Sequence, residues 1–152
     1  MKSRNLWAGL LMTVAISTGF IACDKDDDDT PPQLRTKEYT LSPVNGSGVT
    51  GKVTISENAD RSFNVTVALD KSVKDTIHVS HIHTGSIDAP GAVYIPLANI
   101  TGTGGAATAT TSNINTIIYD SVLTYNGYIN VHYSATKIDS LIAQTNIGKN
   151  NP

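Results

Sequence analysis

The stretch that most constrains this 152-residue chain is Phe63-Asn64-Val65-Thr66-Val67-Ala68-Leu69, where odd positions are apolar and even positions are polar or small. Period-two alternation puts the two sets of side chains on opposite faces of an extended strand, so this segment buries one face and not the other. Val49, Val53 and Ile55 alternate in the preceding segment, and Asn58-Ala59-Asp60 supplies turn chemistry that would join the two as a hairpin. The same Val-, Ile- and Thr-rich texture, punctuated by Gly, Asn, Asp and Pro, marks further strands at 38–41, 76–83, 92–97, 106–110, 127–133 and 141–147. About eight short strands predict an all-β fold, a Greek-key-like antiparallel β-sandwich with at most one short helical turn. That turn is expected where Asp120 would cap Ser121 to Tyr125, with Gly127 near its end. The glycines from Gly102 to Gly105 predict a flexible loop feeding an edge strand.

The N-terminal segment has a different character. Lys2 and Arg4 precede an apolar run from Leu6 to Ile16, followed by the small residues Ser17, Thr18, Gly19 and Ala22. This is the tripartite layout of a secretory signal, and its apolar part is shorter than the ~20 residues that span a bilayer comfortably. Phe20-Ile21-Ala22-Cys23 resembles the lipobox of bacterial lipoproteins, with Phe20 standing where Leu is usual. The resemblance implies a signal peptide over residues 1–22, a lipid anchor on Cys23 and the membrane as a partner through that lipid. Asp24 to Asp29 is a charge run around Lys25, and Pro31-Pro32 follows it, so residues 23–36 read as an acidic, Pro-containing, solvated tether. A Lys followed by acids just after such a cysteine also resembles the surface-export signal of Bacteroidetes lipoproteins. These resemblances imply an outer-membrane lipoprotein of the bacterial cell envelope, with surface exposure as the further implication of Lys25 and its neighbours.

Residues 37–152 then suffice for one domain. This part holds seven Lys or Arg against eight Asp or Glu, without a basic stripe, which gives no footprint for nucleic acid. Cys23 is the only cysteine, so the domain has no internal disulfide and no thiolate for redox chemistry once that residue is acylated.

Three of the four histidines fall within Ile77-His78-Val79-Ser80-His81-Ile82-His83-Thr84-Gly85, and the fourth is His132. On a strand, residues i and i+2 share a face, so His81 and His83 project side by side about 7 Å apart at their backbones and can share a metal. In Tyr128-Ile129-Asn130-Val131-His132-Tyr133 the apolar face is Ile129, Val131 and Tyr133, which leaves His132 with Tyr128 and Asn130. The first histidine strand breaks parity, because Ile77 and Val79 are odd whereas Ile82 is even. A bulge near Ser80 would turn all three inward and His81 and His83 outward. Without a bulge, His81 and His83 would be partly buried and hydrogen-bonded as structural residues.

The pair His81-Ile82-His83-Thr84-Gly85 and Tyr128-Ile129-Asn130-Val131-His132 resembles the paired signature of the CHRD (chordin-like) domain, a His-x-His-x-Gly strand followed by a Tyr-x-Asn-x-His strand. The likeness covers essentially residues 37–147, with Gly85, Tyr128 and Asn130 as supporting motif positions. It implies an exported or lipid-anchored protein, and a first reading of its function is a non-catalytic extracytoplasmic interaction module whose sheet face or loops contact a protein or glycan. The chain departs from the family's C-terminal Gly-x-Ile-Arg-Gly-Gln, since it reads Ser140-Leu141-Ile142-Ala143-Gln144, and it carries Tyr133 where a small residue is usual.

The histidines leave a second reading open, a zinc or copper site made by His81, His83 and His132 with His78 or Asp88 as a fourth ligand. A third is a hydrogen-bonded polar core. Enzymatic readings fare worse. His-x-His on a sandwich strand is similar to copper-zinc superoxide dismutases, but four histidines cannot furnish that two-metal site. Ser80, Ser86, Asp75 and Asp88 lie near the histidines, yet no Gly-x-Ser-x-Gly elbow or equivalent nucleophile setting accompanies them.

Overall fold

The computed structural model describes residues 33–152. The expected signal peptide, the Cys23 anchor and the tether up to residue 32 lie outside the described residues.

Ten strands and one helix follow in order: β1 Thr36–Pro43, β2 Gly51–Glu57, β3 Phe63–Leu69, β4 Ile77–His78, β5 Ser80–Gly85, β6 Pro90–Pro96, β7 Ile100–Thr101, β8 Ala107–Ile114, α1 Tyr119–Leu123, β9 Asn126–Ser134 and β10 Lys137–Gly148. The alternation that predicted β3 is reproduced residue by residue, with Phe63, Val65, Val67 and Leu69 buried and the positions between them half-buried. It pairs with β2 so that Val53 faces Val67 and Ile55 faces Val65. Opposed residues share a face in an antiparallel pair, so both apolar sets point the same way.

Eight strands form one curled antiparallel sheet in the order β6-β5-β9-β10-β1-β2-β3-β8, and β4 pairs with β7 in a small second sheet. The neighbours β5–β9, β10–β1 and β3–β8 are non-consecutive, so the chain crosses between halves as a Greek-key-like sandwich requires. The halves are not separate sheets. From Thr36 to Leu41, β1 pairs with β2, whereas Ser42 and Pro43 pair with β10. One strand thus feeds both halves, and residues from each meet in a single core that includes Val53, Ile55, Val65, Ile82, Ile129 and Ile147.

The helical turn differs from expectation. It begins at Tyr119 with Ile118 as an uncapped N-cap, and Asp120 lies in the first turn rather than before it. There its carboxylate favours the helix N-terminus and sits 2.8 Å from the Arg35 guanidinium, which also pairs with Glu57 at 2.7 Å. The folded part therefore reaches back at least to Arg35. Gly127 does not end the helix. It belongs to β9, where a Cβ would stand 2.6 Å from the Tyr125 ring and 2.9 Å from the His83 carbonyl, so the close approach of β5 requires glycine. The Gly102–Gly105 loop does precede the edge strand β8 but is tied down, because Ser72 Oγ donates to the Gly105 carbonyl and accepts from Thr103 N–H.

Of the two ways to meet the parity problem around Ser80, the structure follows the one without a bulge, with His81 half-exposed, His83 buried and both rings hydrogen-bonded. The chain breaks at Val79, and His78, Ser80 and Ile82 turn inward while Ile77 is exposed at 43%. The core thus accepts a histidine and a serine in place of Ile77. Among the described residues no helix is long and apolar enough to cross a membrane.

Candidate metal centre

Strands β5 and β9 are antiparallel neighbours in which His81 opposes Asn130, His83 opposes Tyr128, and Ile82 opposes Ile129. His132 continues the ladder by donating its N–H to the Val79 carbonyl at 2.9 Å. Ile82, Ile129 and Val131 therefore face the core, and His81, His83, Tyr128, Asn130 and His132 share the opposite face. That face is also covered. His83, Asn130, His132 and Tyr128 are all buried, and only His81 is half-exposed.

The ligand atoms of His81, His83 and His132 lie within 4.8 Å of one another. His81 Nδ1 and His132 Nε2 are 3.3 Å apart. A metal held ~2.0–2.1 Å from each nitrogen in tetrahedral geometry separates the nitrogens by about 3.3–3.4 Å. One pair already has that spacing, and the ligand atom of the third ring lies no more than 4.8 Å from either. The three histidines are thus close enough to hold a metal ion.

The outer ring nitrogens determine which lone pairs are free. His83 Nδ1–H donates to the Gly91 carbonyl at 3.1 Å, and His132 Nδ1–H donates to the Ile138 carbonyl. A carbonyl accepts only, so both rings carry the proton on Nδ1 and keep a lone pair on Nε2. The Nε2 of His83 is buried with no partner. Carbonyls that fix the tautomer and orientation of a ring in this way are the usual outer support of metal-binding histidines.

Both supporting carbonyls come from irregular backbone. The pairing of β5 with β6 slips between Ile82 and His83 and again between His83 and Gly85, which aims the Gly91 carbonyl at the His83 ring. The pairing of β9 with β10 slips between Lys137 and Leu141, and Ile138 lies within that slip. A bulge near Ser80, one of the two readings of the histidine strand, would re-aim side chains, and β5 stays in register with β9. Bulges occur instead in the flanking strands and re-aim carbonyls.

Tyr128 stacks on His83 with ring centroids 4.8 Å apart, and its hydroxyl donates to the same Gly91 carbonyl at 3.4 Å. Burial raises the Tyr128 pKa, which keeps the phenol neutral and able to donate. Burial lowers the pKa of His81, and neighbouring His132 and His83 lower it further. Burial is also the main cause of the lowered His132 value, against which the Ile138 carbonyl acts. Rings held neutral have lone pairs ready for a cation.

The other candidates stand apart. His78 is fully buried on the core side, where Nε2 accepts from Val73 N–H at 3.1 Å and Nδ1–H donates to the Tyr133 carbonyl at 2.7 Å. Both nitrogens are used, so His78 is no fourth ligand. Asp88 is exposed in the turn between β5 and β6 and is not in the cluster. Gly85 shapes that turn, with φ at +88° and the Ala89 carbonyl 2.3 Å from where a Cβ would be. Among the described residues no histidine hydrogen-bonds to an Asp or Glu side chain, so Asp75 and Asp88 orient none of the imidazoles. Gly91 and Ile138 escaped sequence reasoning because they act through carbonyls, which leave no side-chain signature.

No known family model matches the chain, and no curated protein matches it.

Proposed function

We propose that this protein is a metal-binding module in which His81, His83 and His132 hold zinc or copper. The observation that carries the reading is the buried, unpartnered Nε2 of His83 beside two other imidazoles. A hydrogen-bonded polar core would pair that atom, since an orphaned buried acceptor costs about 1–3 kcal/mol. A metal ion resolves it. Three imidazoles with no thiolate or carboxylate in the cluster suit zinc and copper better than the hard cations that select oxygen ligands.

The sequence supports a setting for this module. The CHRD-like motif pair, the export signal and Cys23 together support a lipid-anchored domain at the bacterial envelope, with the metal presented outside the cytoplasm. Zinc or copper is expected to raise the melting temperature of the purified protein and not that of a His81→Ala, His83→Ala variant, with about 2.7 kcal/mol of stabilisation when free metal is 100 times Kd. Equal melting of wild type with and without either metal refutes the proposal. That outcome points instead to a metal-free module acting through protein or glycan contacts.

A further inference from the structure

Three imidazoles occupy three positions around an ion, and being neutral they leave its whole charge uncompensated. Among the described residues no other histidine, and no cysteine, aspartate or glutamate, joins the cluster. The same face holds a second orphaned buried atom, the carboxamide Oδ1 of Asn130, on a residue only 7% exposed. Asn130 stands directly opposite His81 and two residues before His132 on β9, with His83 diagonal to it across the β5–β9 ladder. Its place in the ladder is thus next to all three histidine positions on that face.

Resting on the metal reading above, we infer that the fourth coordination position is open to solvent ligands and holds a water or hydroxide whose O–H donates to Asn130 Oδ1. This arrangement satisfies both orphans, the ion taking His83 Nε2 and its water taking Asn130 Oδ1. A hydroxide or exogenous anion in that position also offsets the charge that the imidazoles leave. Imidazole-rich sites with three protein ligands keep solvent in the fourth position, whereas closed structural sites supply a fourth side chain. Carboxamide oxygen is a hard donor suited to calcium or magnesium, which makes it a poor direct partner for an ion chosen by three imidazoles. The half-exposed His81 marks the side from which small ligands exchange.

Cobalt(II) reports this position by its visible absorption. The full chain loaded with cobalt is titrated with azide, a monodentate ligand that replaces water. The expected result is a saturable change of the cobalt bands in wild type. In Asn130→Ala the protein still binds cobalt, and azide binds about 3- to 10-fold more tightly because the displaced water has lost its acceptor. Cobalt bands that ignore azide in wild type overturn the open position, and they assign Asn130 as a direct ligand if Asn130→Ala then responds. Equal azide affinity in the two proteins removes Asn130 from the fourth position. A wild type that develops no cobalt bands refutes the metal reading itself. The wild-type titration decides whether the position is open even if Asn130→Ala does not fold.

Discussion

Gly91→Ala tests the link between the irregular β6 backbone and the histidine cluster. A Cβ at residue 91 would stand 2.2 Å from Thr84 Oγ1 and 2.6 Å from the Thr84 carbonyl oxygen. The hydroxyl can rotate away, but the carbonyl belongs to β5 and cannot, so β6 must move. Overpacking of this kind costs about 1–3 kcal/mol. The shift also breaks the 3.1 Å bond from His83 Nδ1–H to the Gly91 carbonyl, which adds about 0.5–1.5 kcal/mol, while the 3.4 Å contact of Tyr128 adds little. The sum is about 2–4 kcal/mol, set against a total of roughly 6–18 kcal/mol for a domain of about 120 residues. In urea unfolding followed by circular dichroism, the midpoint should drop accordingly, with Tm lower by on the order of 10 °C. Zinc affinity, measured by competition with a chromophoric chelator, should fall about 10- to 100-fold because the ring loses the carbonyl that orients it. Gly105→Ala is the control, since its Cβ would meet only Thr103 Oγ1 at 3.9 Å, and it should stay within about 0.5 kcal/mol of wild type. Wild-type stability and affinity in Gly91→Ala would refute the reasoning.

Other outcomes follow from the same structure. His78→Ala should destabilise by about 2–4 kcal/mol, because it opens a cavity and leaves the Val73 N–H and Tyr133 carbonyl unpaired, whereas exposed Ile77→Ala should cost well under 1 kcal/mol. Equal effects in chemical denaturation would contradict the inward placement of His78. Phe63→Ala, at a fully buried position of the core, should cost about 3–5 kcal/mol while leaving zinc affinity unchanged in the fraction that remains folded. For the metal-free protein in chelator, His81 and His132 have folded pKa values below the ordinary one, so on acidification the unfolded chain takes up protons first. Stability should therefore fall as pH drops below about 6.5 and level off once the folded rings protonate. A melting temperature flat from pH 7.5 to 5 would contradict this, and a His81→Asn, His132→Asn variant should flatten it. Hydrogen bonding to Arg35 lowers the Glu57 value, so that pair stabilises above the ordinary carboxylate range and its contribution is lost in a separate, more acidic window. An acid limb of the melting profile that is the same in Glu57→Gln as in wild type would remove the pair from the account.

The strands were legible where one face is apolar and the other polar. Phe63 to Leu69 and the Ile129, Val131 face of β9 were readable because an apolar set alternates with a polar one, even though in β9 the polar set, Tyr128, Asn130 and His132, is buried as well. The two-residue strand β7 was not, since Ile100–Thr101 is too short to show a period and pairs only because β4 lies beside it. The parity of Ile77 and Val79 misled for a related reason. A buried histidine is acceptable when both nitrogens find backbone partners, and although Val73 is only five residues away, the Tyr133 carbonyl is 55 residues along the chain and reaches His78 only after folding.

By itself the sequence determined an all-β chain and the sharing of faces by His81 with His83 and by His132 with Asn130, because alternation along a strand is a local property. It also carries the lipobox resemblance around Cys23. Only the tertiary structure decided that these two faces are one face, because strand register joins residues that are far apart in the chain. It alone turned the Gly91 and Ile138 carbonyls onto the rings, since a backbone carbonyl is common to every residue and only its position after folding gives it a role. It also left His83 Nε2 and Asn130 Oδ1 without partners, a condition that exists only once water has been excluded from around them.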